Sequence, residues 1–296
     1  MSRTPITRRD FLKVAAAAPL AGVAIPAWRG PAPSAADRVR VVLVRDPSPL
    51  GPGGAPPAEV VQSMLDDGVR ALLGESDVVK AWKSLIRPED VVGIKTNAWR
   101  YIPTTAEVEQ ALKRRVMDAG VGEDRIAIDD RGVLRNPVFQ KATALVNARP
   151  MRSHYWAGVG SLIKNYIMFT PQPSAWHDDS CADLAKIWEL PAVKGKTRLN
   201  ILVMFTPLFH SIGPHDYAKQ HTWDYKGLIL SRDPVAADAT GLRIIMAKRK
   251  AFFGDDRPLN PPAKHISVAD TKYHLGTADP EKIELIKIGY DKDIFV

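Results

Sequence analysis

Apolar residues recur in two rhythms along this chain, and the rhythms alternate. Val39-Arg-Val-Val-Leu-Val44 is a nearly continuous β-branched run, the pattern of a strand buried on both faces. Ala58 to Leu73 instead carries apolar residues at 60, 61, 64, 65, 69, 72 and 73, a helical stripe that Gly74 closes. Ser76 to Ile86 repeats the helical pattern until Pro88 breaks it. Asp90-Val-Val-Gly-Ile-Lys-Thr-Asn97 predicts a second strand with a polar end. Thr104-Thr-Ala-Glu107 has the form of a capping box, opening a helix to about Ala119 that stops at Gly120. Arg125-Ile-Ala-Ile-Asp-Asp-Arg131 predicts a third strand, and Asn136-Pro137 a helix to about Asn147.

The second half continues the alternation. Cys181 to Glu189 predicts a helix, Leu199 to Phe205 and Gly227 to Ser231 predict strands, and Pro234 to Lys250 predicts a helix with proline at its first position. Ile283 to Ile288 predicts a last strand. Strands alternating with helices predict an α/β fold: a mostly parallel or mixed sheet flanked by helices. In such a sheet the ligand site lies at the strand carboxyl ends.

The first residues do not belong to that alternation. Thr7-Arg8-Arg9-Asp10-Phe11-Leu12-Lys13 precedes an apolar, alanine-rich run from Val14 to Ile25, the layout of a removable export signal. Its paired arginines mark the twin-arginine route, so the translocase is an expected transient partner and the mature chain is expected in the periplasm or outside the cell. Residues 1–35 are expected to be signal and linker, and residues 36–296 a single α/β domain with no membrane span after cleavage.

Charge and cysteine usage narrow the function. The formal net charge is +8, but residues 1–35 hold five of the 41 Lys/Arg and one of the 33 acidic residues. The remainder carries 36 and 32, a net of +4 with no basic stripe, which argues against nucleic acid. Cys181 is the one cysteine, so neither an iron–sulfur cluster nor covalently attached haem is expected.

Candidate chemistry gathers at predicted strand ends and in the stretch from Ser153 to Asp179. Lys95, Asn97 and Asp129 sit at strand ends; Lys95 and Asp129 could equally form a buried salt bridge. Gly158, Gly160 and Ser161 form a candidate cofactor- or anion-binding turn, because glycines let a backbone approach a ligand. They precede Lys164 and Asn165. His154, His177 and Asp178 form a candidate site for a divalent metal, with His210 as a further imidazole. Asp233 should cap the helix at Pro234, whereas Asp238, among alanines, needs a partner. The lysines would hold a small anionic ligand and the asparagines would orient it. His210 and its companions would bind metal or exchange protons, with Asp129 and Asp238 positioning them.

Val92-Gly-Ile-Lys-Thr-Asn97, Ile126-Ala-Ile-Asp129, Ser161-Leu-Ile-Lys164-Asn165, Trp176-His177, Gly213-Pro214 and Ser231-Arg-Asp-Pro-Val-Ala-Ala-Asp238 occur in this order. On these pieces the chain resembles the family called domain of unknown function 362, over roughly residues 39 to 290. One piece departs from the family's usual Ile-Lys-Pro-Asn. The resemblance implies an exported protein in redox surroundings but no established activity. Three readings follow: a metal- or cofactor-dependent enzyme acting on a small anion, a non-catalytic binding protein, or an accessory protein docking to a redox complex through Trp82, Trp99 or Trp223.

Overall fold

The computed structural model describes residues 38–211 and 217–296. The export-signal pattern and the Gly213-Pro214 turn lie outside the described residues. Strand β1 is Val39–Arg45. Helix α1, Ala58–Leu73, buries Val61, Met64, Leu65, Val69 and Leu72 along the stripe seen in the sequence. It ends at Gly74, whose left-handed φ of 67° costs a glycine nothing and lets its N–H reach Arg70 O. Helix α2 is Val78–Leu85, capped by the Asp77 carboxylate on Lys80 N at 2.9 Å. Strand β2 (Val92–Lys95), helix α3 (Ala106–Asp118) and strand β3 (Ile126–Asp129) follow. Then come α4 (Pro137–Lys141), β4 (Ala144–His154), β5 (Gly158–Gly160) and α5 (Leu162–Asn165). The chain closes with β6 (Thr197–Leu208), β7 (Gly227–Ser231), α6 (Pro234–Phe253), α7 (Lys264–Thr271) and β8 (Ile283–Gly289).

The strands form one mixed sheet in the order β3-β2-β4-β6-β7-β1-β8, with β5 hairpinned onto β4. Only β7 and β5 run against the others. The carboxyl ends of β2, β3, β4 and β6 therefore share one edge. Successive side chains of a strand face opposite sides, so each strand feeds two cores. Val42, Val44, Ile94, Val146 and Ile201 pack under α1, α2 and α3. Val41, Leu43, Leu145, Leu202 and Ile229 pack with α6, α7 and the 162–193 segment. The layering is helix, sheet, helix, as the alternation predicts.

Three local expectations are corrected. The helix expected from Asn136 to Asn147 stops at Lys141, and Ala144 onward is the central strand β4. A short apolar run is ambiguous by periodicity alone; here pairing with β2 and β6 decides it, and a register shift next to Pro150 accommodates the missing N–H. The capping box does not form: Thr105 is the N-cap and makes no side-chain cap bond. Thr104 instead accepts from Asn97 N at 3.0 Å and donates to Ala148 O at 3.1 Å, tying the β2 loop to β4. Residues Ala182–Glu189 form a 3-10 rather than an α-helix.

Candidate active site

The loops after β2 and β3, the last residues of β4, and α5 enclose a cavity of about 210 Å3. Its walls include Asn97, Trp99, Asp130, Arg149, Arg152, His154, Trp156, Lys164, Asn165 and His177. Arg149, Arg152 and Lys164 are 3%, 9% and 4% exposed. None has a carboxylate within ion-pair distance among the described residues. Arg152 lies over the Trp99 ring, 4.0 Å from its centroid, and its buried Nε has no hydrogen-bond partner among the described residues. Arg149 donates to Ser161 O at 3.2 Å. Among the described residues the Lys164 amine has one hydrogen-bond partner, the Cys181 sulfur at 3.6 Å.

Burial of these cations is expensive, because each gives up water, and the more distant charges of Asp130 on both arginines and Asp238 on Arg149 offset only part of the cost. Burial lowers the Lys164 amine to about 8, with Arg149 and Arg152 adding to the shift. Burial also brings the two guanidinium groups down, to about 10 and about 9, yet both stay charged at neutral pH. The same burial and the same cations hold His154 well below its ordinary range, so its ring is neutral. Its Nδ1 accepts from Trp156 N at 3.2 Å, which assigns the ring hydrogen to Nε2. Burial lowers His177 too, and its ring stacks on Trp156 at 4.7 Å.

Lys95 differs from Lys164. It is fully buried and its amine is engaged, donating to Asp130 at 2.6 Å, Thr96 O at 2.7 Å and Asn165 Oδ1 at 3.2 Å. Asn165 donates to Lys95 O and to Asn147, and Asn147 to Asn200, so a polar ladder crosses β2, β4 and β6 beneath the cavity. Such a ladder is tolerated in a core because its members satisfy one another. Lys95 thus fixes Asn165 and Asp130 rather than facing the cavity.

Asp238 has the partners its setting demands. On α6 and fully buried, it accepts Leu162 N and Ile163 N, each at 2.9 Å, anchoring the first turn of α5 and with it Lys164 and Asn165. Burial raises its carboxyl to about 7 against the pull of those amides. Ser161 adjoins it, and Ser161 Oγ lies 3.0 Å from His265 Nε2. This is not a hydrolytic triad: Ser161 and His265 are both fully buried, and His265 Nδ1 has no hydrogen-bond partner. Asp233 caps α6, accepting from Val235 N and Ala236 N.

Other expected residues fall elsewhere. Asp129 does not pair with Lys95; it accepts from Gly132 N and Asn136 Nδ2, donors in its own turn that cost no loop closure to reach, and Asp130 takes the lysine. His210 sits 3.2 Å from Arg249 and borders a second cavity, shared with His154 but not His177. Asp178 is exposed on a third surface depression. Among the described residues no three His, Cys, Asp or Glu side chains converge as a metal site.

Gly158 and Gly160 form strand β5 rather than a free turn. A Cβ at Gly160 would lie 2.8 Å from Arg149 Nη2, so the glycine makes room for that guanidinium. Gly158, at φ 69°, lets the backbone of Pro261 and Ala263 approach within 2.7 Å of where a Cβ would be. Gly158→Ala is expected to lower stability by about 2 kcal/mol in urea unfolding, from left-handed strain plus overpacking. An unchanged midpoint would contradict this account of the hairpin.

Trp82 is fully buried and Trp99 only 9% exposed, so neither offers the flat docking face expected of them. Trp223 is partly buried. Sequence reasoning missed Arg149 and Arg152. Their signal, two arginines three residues apart just after the apolar start Ala144-Leu-Val146, was masked by reading that start as helix. Asp179, Ser180 and Cys181 take three successive left-handed conformations, φ 46°, 59° and 62°, unusual for residues with a Cβ. They lead from His177 to the thiol beside Lys164.

Comparison with protein-family models, with curated proteins and with solved structures gave no match.

Proposed function

We propose that this chain is an exported enzyme of the domain-of-unknown-function 362 type that binds a small organic anion in the cavity at the ends of β2, β3 and β4. One observation carries the reading: Arg149, Arg152 and Lys164 are buried around one cavity, and among the described residues none has a carboxylate at ion-pair distance. An anionic ligand supplies the missing counter-charge, and guanidinium groups suit the planar geometry of a carboxylate. The Trp99 and Trp156 rings with Ile167 and Met168 supply apolar walls for the rest of the ligand. The ordered motifs support the family and the Arg8-Arg9 pattern supports twin-arginine export to the periplasm or beyond. A divalent metal is the less favoured alternative, since three cations oppose another positive charge between His154 and His177. A role as a binding or redox-complex accessory protein has no further observation in its favour.

Thermal unfolding against a panel of small carboxylates, phosphate and sulfate tests this. A fitting carboxylate should raise the melting temperature in proportion to the logarithm of its concentration. The pH dependence has opposite signs with and without it. Lys164 titrates near 8 when folded and at an ordinary 10.5 when unfolded. Between those values the unfolded chain binds more protons, so Lys164 makes unliganded stability rise with pH. Anion affinity falls over the same rise, because the lysine loses the charge that attracts the ligand. No stabilisation by any anion at pH 7 would refute the proposal.

A further inference from the structure

We infer that Lys164 is a nucleophile that forms an imine with a small 2-oxo carboxylic acid held by Arg149 and Arg152. The inference rests on the anion-site reading above and goes beyond it, from binding to a covalent step.

The two buried lysines make the argument by contrast. Lys95 spends its amine on three oxygen acceptors, one of them a carboxylate, and does not border the cavity. Lys164 does border it, and among the described residues its amine has only a sulfur at 3.6 Å. That sulfur belongs to Cys181, whose thiol burial pushes up, so it stays neutral and leaves the amine without an anionic partner. A lysine placed among other cations and away from water is held partly as the free amine, the form that attacks carbonyl carbon. Arg149 and Arg152 supply that field and also the natural seat for a carboxylate.

The remaining wall fits the carbonyl. With its hydrogen on Nε2, the neutral ring of His154 is a donor and can polarise a carbonyl oxygen without bringing a charge. A cavity of about 210 Å3 suits a ligand not much larger than benzene, which fills a cavity of about 150 Å3. The Trp99 and Trp156 walls favour an apolar substituent.

The step balances without any further reactant. The Lys164 nitrogen adds to the 2-carbon, and the C–O bond then breaks. The oxygen leaves as water, taking both its hydrogens from the amine. The product is a Lys164 imine adjacent to a carboxylate that remains on the arginines.

Reductive trapping tests this on the folded protein. Pyruvate and 2-oxobutanoate serve as probes and sodium borohydride as reductant, with isobutyrate as a carboxylate lacking the carbonyl. The expected result is one reduced adduct per chain, mapped by peptide mass spectrometry to Lys164 and suppressed by excess isobutyrate. Lys164→Arg should lose the adduct, whereas Lys80→Arg, at an exposed position away from the cavity, should keep both the adduct and the stabilisation by isobutyrate. Adducts spread over surface lysines with none at Lys164 would overturn the inference. Stabilisation by the oxo acids without trapping would overturn the imine and leave the anion site standing, whereas no stabilisation by any carboxylate would overturn both.

Discussion

Asp238→Ala is expected to lower the stability of the protein by about 3 kcal/mol and to abolish anion binding with it. The carboxylate is fully buried and is the acceptor for two amides at the start of α5. Alanine leaves both N–H groups without a partner in a core, at about 1–3 kcal/mol each. The same loss frees α5, which carries Lys164 and Asn165. Asp238→Asn is milder, since one oxygen still accepts. It separates packing from charge, because the carboxyl titrates near 7 when folded against an ordinary 3.8. A raised folded value means the native state holds the proton more tightly, so Asp238 makes stability fall as pH rises from about 4 to 7. Denaturant titrations across that window should show the slope in wild type and a flatter line in the asparagine variant. Equal slopes would mean the carboxyl is not strained by burial.

The second large effect is a split between binding and stability at Arg152. Arg152→Gln should weaken the best anion of the panel by at least about thirtyfold, about 2 kcal/mol, as loss of one buried charge partner does. It should leave unliganded stability unchanged or raise it by about 1 kcal/mol. The guanidinium is 9% exposed, its Nε lacks a partner, and its compensation is the Trp99 face. Removing a buried cation that has no carboxylate at ion-pair distance among the described residues relieves a desolvation cost that the more distant Asp130 only partly offsets. A structural arginine behaves oppositely: its removal would cost stability and leave affinity alone. Calorimetric titration and urea unfolding of the same preparation distinguish the two.

The two effects act on different parts of one arrangement. Asp238 holds the floor from α6, while Arg152 reaches in from near the carboxyl end of β4. Between them lie the ladder of Lys95, Asn165 and Asn147 and the glycines of β5. Gly160 admits the Arg149 guanidinium, and Gly158 admits the backbone near Ala263. The fold thus places Arg149, Arg152 and Lys164 on strand and helix supports, which keep like charges around one cavity.

Much of the scaffold was written in local order. The β-branched run at Val39 is β1, the stripe from Ala58 is α1 over its full predicted range, Gly74 stops it, and Asp233 caps α6. These features depend on periodicity, on φ preference and on hydrogen bonds within a few residues, and such terms are present in any window of sequence. The sequence also singled out Lys164, Asn165, His154, His177 and Asp238, because polar groups in weakly periodic stretches have no packing reason to be there. Partner choice was different. Lys95 pairs with Asp130 rather than Asp129, Arg149 and Arg152 enter from a strand that periodicity could not distinguish from helix, and His210 borders another cavity. Those outcomes were decided by strand order and register, which bring residues 97, 130, 152 and 164 to one edge of the sheet. Only the assembled tertiary structure sets which charges meet, because contact energies between distant segments exist only once the chain has closed the loops between them.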